Sequence, residues 1–172
     1  MRKILIIGPI AAAALVFAAA AVAAPSLSPS YRLTGIELGA SQADASAFVG
    51  VGTGSTGDHA SWQASIAHAS LAGCASTGAS CAVTGGSFTL ASNSGARLDG
   101  TFTGGMLTLT AQQARSCGSQ TFAVTAIVST STALEQFTGS ITEHRAPIRG
   151  VCTVVVAVLQ GTLALVDDGG SL

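Results

Sequence analysis

The densest polar cluster in the sequence is Glu143-His144-Arg145, with Arg149 close behind it. A carboxylate, an imidazole and two guanidiniums so close together are the groups an acid–base step or an anion site would use. On a strand, adjacent residues point to opposite faces, so Glu143 and Arg145 share one face and His144 takes the other. Two roles follow: a carboxylate–guanidinium pair capping the mouth of a barrel, or the polar contact that orients a ligand there. His59 and His68 are the remaining imidazoles. His59 follows Asp58 in the glycine-rich stretch 54–59, where Asp58 is expected to stabilise the turn itself. His68 falls on an apolar face and reads as a hydrogen-bonded core residue. Glu143 with His68 or His144 is the available acid–base pair, and a weak one, so no catalytic residue is assigned.

Other chemistries lack their signatures. Gly50-Val51-Gly52 is not followed by a helical pattern or a lysine, so it is no phosphate loop. There is no G-x-S-x-G elbow for a serine nucleophile. The cysteines are not set in C-x-x-C pairs, which argues against a metal site, and no cofactor motif is present. Aromatic residues are few and sit at packed strand positions, against a carbohydrate platform. The threonines of Thr101-x-Thr103 and Thr108-x-Thr110 read as ordinary outward strand positions.

Cys74, Cys81, Cys117 and Cys152 are an even set, as disulfides in an oxidising compartment require. Four cysteines allow three pairings. The short loop 75–80 makes Cys74–Cys81 an easy closure, which would leave Cys117 for Cys152. The N-terminus agrees with that compartment. Arg2-Lys3 precedes an apolar run from Ile4 to Ala24, closed by the small-residue pattern Ala21-Val22-Ala23. That order reads as a secretory signal peptide cleaved after Ala23, with an uncleaved anchor as the rival.

The elements that must position these residues are strands. From Tyr31 onward, apolar and polar residues alternate in short runs rich in Thr, Val and Phe, separated by Gly and Ser. Within Ala60–Leu71, the residues Trp62, Ala64, Ile66 and His68 fall on one face. The spacing predicts about nine or ten strands, with Arg97–Thr103 and Met106–Ala111 separate and Val151–Val166 one strand or two. The run Cys152–Leu159 is apolar on both faces and is expected to be covered on both. The fold class is therefore all-β, a single antiparallel barrel or sandwich, barrel preferred. The expected organisation is signal peptide 1–23, linker 24–30, β domain 31–166 and tail 167–172.

Barrel is preferred because glycines recur on the inward face. Gly100 alternates with Leu98 and Phe102, Gly139 with Phe137 and Ile141, and Gly161 with Leu159 and Leu163. An inward glycine either bends the sheet or leaves a hole for a small apolar ligand. Gly100, Gly139, Trp62, His68, Glu143 and Arg145 are thus the residues that would line such a ligand.

Composition narrows the function. The chain has 172 residues, 48% of them hydrophobic and only 9% charged. Beyond residue 23 it carries five arginines, no lysine and eight acidic residues, a formal charge of −3. That excludes a polybasic nucleic-acid binder, and no membrane association is expected after signal cleavage. Alanine richness and arginine in place of lysine point to a GC-rich bacterial genome. The leading reading is a secreted or cell-surface module with a non-enzymatic structural or interaction role, its partners being itself or cell-surface components. A carrier of a small apolar ligand is the alternative, and an extracellular barrel enzyme the third.

Overall fold

The computed structural model describes residues 26–39, 44–113 and 117–165; the run read as an export signal and the 167–172 tail lie outside them. Eight strands form one closed antiparallel barrel: β1 Ser30–Glu37, β2 Ala45–Gly54, β3 His59–His68, β4 Ser80–Ser92, β5 Arg97–Gln112, β6 Gln120–Thr130, β7 Leu134–Ile148 and β8 Val151–Leu165. Each strand pairs with the next, and β8 returns to pair with β1 from Ser30↔Ala164 to Ile36↔Val158. Closure leaves no edge along the paired region.

The all-β barrel is the expected class, with fewer and longer strands than the spacing predicts. Arg97–Thr103 and Met106–Ala111 are one strand, because Gly104-Gly105 makes a bulge instead of a turn. The β5–β6 register shifts between Phe102 and Gly104, and Gly105 takes a φ of 142° that a side chain would resist. Likewise β8 runs unbroken through Gly161. The β7–β8 turn has positive φ at both central residues, Arg149 (52°) and Gly150 (80°), as a type I′ hairpin turn requires.

The side-chain period of two sorts the chain into a dry inside and a polar outside. In β3 the pattern holds without a break: Trp62, Ala64, Ile66 and His68 are buried, while Ser61, Gln63 and Ser65 are exposed. The Cys152–Leu159 run departs from expectation. Only Ala157 and Leu159 are buried; Val155 is 54% exposed and Val156 also faces solvent. Among the described residues no second layer covers this barrel wall, so a run apolar on both faces here marks an apolar outer surface.

Inward glycines seat the barrel's own aromatic rings. Trp62 on β3, Gly50 on β2 and Gly35 on β1 are register neighbours, and the indole reaches past Gly50 to Gly35. The indole N–H is satisfied by the Val51 carbonyl at 3.0 Å. Gly139 and Gly161 face each other across β7 and β8 under the ring of Phe137. Trp62 stacks on Phe88, and Phe88 meets Phe102 edge-on, both at 6.3 Å between centroids. Each such pair adds about 0.5–1.5 kcal/mol beyond the area it buries.

Candidate functional site at the stapled end of the barrel

The two ends of the barrel are built differently. At the end where the chain enters, Asp58 in the β2–β3 turn gathers four hydroxyls. Tyr31 donates at 2.5 Å, Ser92 at 2.9 Å and Thr56 at 3.1 Å, and Ser28 also donates to it. These donors, Ser28 foremost and then Tyr31, hold the Asp58 carboxyl far below the ordinary carboxylate range. Burial, and then the bond to Asp58, push the Tyr31 phenol up. Residues 27 and 28 dock here, Leu27 against the core and Ser28 on Asp58. Asp58 therefore ties the turn, as its sequence context suggests, and also pins the first strand. Near it Glu135 is 2% exposed, with one carboxyl oxygen lacking a hydrogen-bond partner among the described residues, and burial raises its pKa.

The other end carries both disulfides. Cys74–Cys81 closes the β3–β4 connection, and Cys117–Cys152 joins the β5–β6 connection to the β7–β8 hairpin. The pairing is the one that easy closure of the short loop favours. Inside this end lies a small pit of about 20 Å³. Glu37, Ser46, His68 and Glu143 supply its polar lining, and Phe48, Ile66, Leu107, Phe122 and Ile141 its apolar walls. Phe122 packs in turn in the cluster of Cys74 and Cys81, so the staple supports the pit wall directly.

Glu143 is 7% exposed and lines the pit together with Glu37 and His68. Burial raises its pKa most; the nearby Glu37 charge adds to the rise and Arg145 opposes it. Arg145 is half-buried on the same strand face, with a buried Nε that has no hydrogen-bond partner among the described residues. His68 is 4% exposed, and its Nδ1 lies 3.0 Å from the Ala69 carbonyl. A carbonyl only accepts, so Nδ1 carries the proton, and in the neutral ring Nε2 is left as an acceptor.

The residues singled out from sequence thus separate into groups. Glu143 and His68 meet in the pit, and Arg145 stands close enough to act on Glu143. Trp62 lies in the aromatic interior. Gly100 and Gly139 border no empty space: a methyl at Gly100 would lie 2.6 Å from Val128 Cγ1, and one at Gly139 2.8 Å from Phe137 Cζ. The internal void among Leu33, Trp62, Phe88 and Phe137 measures about 10 Å³, at the lower limit for one water. His144 faces outward, bonded to Ser119 at 3.1 Å, and does not reach the pit.

Sequence reasoning overlooks Glu37. Its signal was available, because it continues the inward alternation of Tyr31, Leu33 and Gly35. What hides it is that nothing local says β1 and β7 share one barrel end. Comparison with protein-family models, with curated proteins and with solved structures found no match to this chain.

Proposed function

We propose that this disulfide-stapled barrel is exported, loses residues 1–23, and serves outside the cytoplasm as a non-enzymatic structural or interaction module working through its outer face. The observation that carries this reading is the filled interior. Gly100, which might have vacated a ligand cavity, is covered by Val128, and Gly139 and Gly161 by Phe137 of the same chain. An apolar carrier would need that space, which leaves the outside as the working surface.

Two disulfides support an oxidising compartment, and the N-terminal run supports the route to it. Outward rows such as Ser61, Gln63 and Ser65 are polar, the reverse of the apolar band that a membrane barrel turns toward lipid. One part of the wall differs. Ile36 on β1 pairs with Val49 on β2 and Val158 on β8, giving an outward apolar row across three strands. Val51 and Val156 extend it, with Val51 67% exposed. Low charge leaves little to repel a neighbouring copy, so this wall suits packing against a second copy.

The test is sedimentation velocity of the mature, oxidised protein over a range of concentrations. Average mass should rise with concentration, and the variant Val51→Lys should shift that rise to higher concentration. A strict monomer at high concentration would overturn self-packing.

A further inference from the structure

We infer that the self-packing proposed above is a closed two-fold dimer across the β8–β1–β2 wall, in which Arg32 of each copy meets Asp44 of the other on either side of the Ile36–Val49–Val158 row. The inference rests on the reading that this wall packs against a second copy. To that reading it adds the orientation of the two copies and the charged contacts that fix it.

The wall is apolar in its middle and charged toward its two ends. Ile36 stands in register between Val49 and Val158. Leu38 beyond it is 52% exposed, its N–H bonded to the Ala47 carbonyl at 2.7 Å. Toward the entry end, Arg32 is exposed and stands in register between Thr53 and Thr162. Ser30 and Ser55 complete the groove around it, and none of these residues is acidic. Toward the stapled end, Asp44 is exposed just before β2, its backbone carbonyl accepting from the His68 N–H at 2.9 Å. Among the described residues the carboxylate–guanidinium bridge is Arg97–Asp99, so neither Arg32 nor Asp44 has its charge paired.

The placement of these two charges selects one orientation. Arg32 lies four residues from Ile36 on β1, about 13 Å at the rise of a strand. Asp44 lies five residues from Val49, about 17 Å in the opposite direction, because β2 runs antiparallel to β1. A two-fold axis through the wall between Ile36 and Val49 exchanges the lines of β1 and β2 and reverses their direction. It therefore carries the partner's Arg32 onto the β2 line beside Asp44, and the partner's Asp44 onto the β1 line beside Arg32. The difference of one residue is within reach of an arginine side chain. The apolar rows of the two copies meet at the axis and exclude water between the charged contacts. A two-fold axis running along the strands would instead set Arg32 level with Arg32 and Asp44 level with Asp44, a like-charge arrangement that disfavours itself. An interface of this self-complementary kind closes at two copies.

The experiment is sedimentation velocity of the mature, oxidised protein as wild type, Arg32→Asp, Asp44→Arg and an equimolar mixture of the two variants. Both side chains are exposed, and far-UV circular dichroism verifies that each variant keeps the barrel. Wild-type mass should level off at twice that of the chain. Each variant alone should associate about tenfold or more weakly, since its own dimer contains two like-charge contacts. The mixture should recover association. There the two reversed charges face each other, and the native Asp44 of one variant faces the native Arg32 of the other. Three results would overturn this orientation while leaving self-packing in place: unchanged association in both variants, a mixture no stronger than either variant alone, or a mass that climbs past two copies. A wild type that stays monomeric at every concentration would overturn self-packing and the orientation together.

Discussion

Trp62 and Gly35 occupy one volume: the indole of β3 reaches across the barrel wall to the place where a side chain at Gly35 would stand. A methyl there would lie 2.8 Å from the indole Cη2 and closer still to Cζ2. The absence of a side chain on β1 is therefore what lets the largest ring in the protein lie flat inside, and this relation makes the interior solid.

The first prediction follows directly. Gly35→Ala should destabilise the barrel by about 1–3 kcal/mol, the ordinary cost of overpacking a close-packed core. Urea unfolding followed by Trp62 fluorescence checks it. A variant as stable as the wild type would mean that the indole has room to move, and the interior would not be as full as described.

The two disulfides should contribute unequally. Cys117–Cys152 spans a sequence separation of 35 and Cys74–Cys81 one of 7. Restriction of the unfolded chain is then worth about 4 kcal/mol for the longer link and about 2 kcal/mol for the shorter. Paired Cys→Ser variants measured by denaturant unfolding should follow that order. If removal of the short link costs more, its packing against Leu109 and Phe122 outweighs loop closure.

Acid should loosen the entry end of the barrel through Asp58. Its folded-state pKa is depressed, so its contribution is complete above the unfolded value of about 4 and is lost as pH falls toward the folded one. Stability should decline on acidification below about pH 4, and Asp58→Asn should flatten that decline. Thermal unfolding across the acid range reads both. An unchanged acid limb in the variant would remove Asp58 from its assigned role.

Glu135 should act with the opposite sign. Burial raises its folded-state pKa, so whatever it contributes is complete below the unfolded value and fades as pH rises through the folded one. Glu135→Met should stabilise the protein at neutral pH, by about 1–3 kcal/mol if the unpartnered oxygen remains dry, and much less in acid. Equal effects at both pH values would show that the carboxyl reaches solvent.

Much of this fold is legible in the sequence, and what escapes has physical reasons. The alternation of β3 gives its buried and exposed faces residue by residue, because a period of two leaves no ambiguity where one face is dry. The glycines that betray an inward constraint at positions 100, 139 and 161 are visible too. Whether they bend, vacate or seat a ring depends on partners several strands away. Gly104-Gly105 reads as a break because a bulge and a turn use the same residue. The valines at 155 and 156 read as core because local sequence does not reveal which face a second layer covers. The candidate pit is half legible: Glu143 and His68 stand out as inward polar residues, whereas Glu37 joins them only once β1 is known to close the barrel against β8.

The interior of this barrel belongs to its own side chains. The most direct test of that is mass spectrometry of the protein recovered from its own host, native and then denatured without reductant, with an organic-solvent extract analysed in parallel. The expected species is a chain beginning after Ala23 and four hydrogens light for its two disulfides, assembled with copies of itself and releasing no apolar small molecule. A monomer that carries a stoichiometric apolar compound into the extract would contradict it.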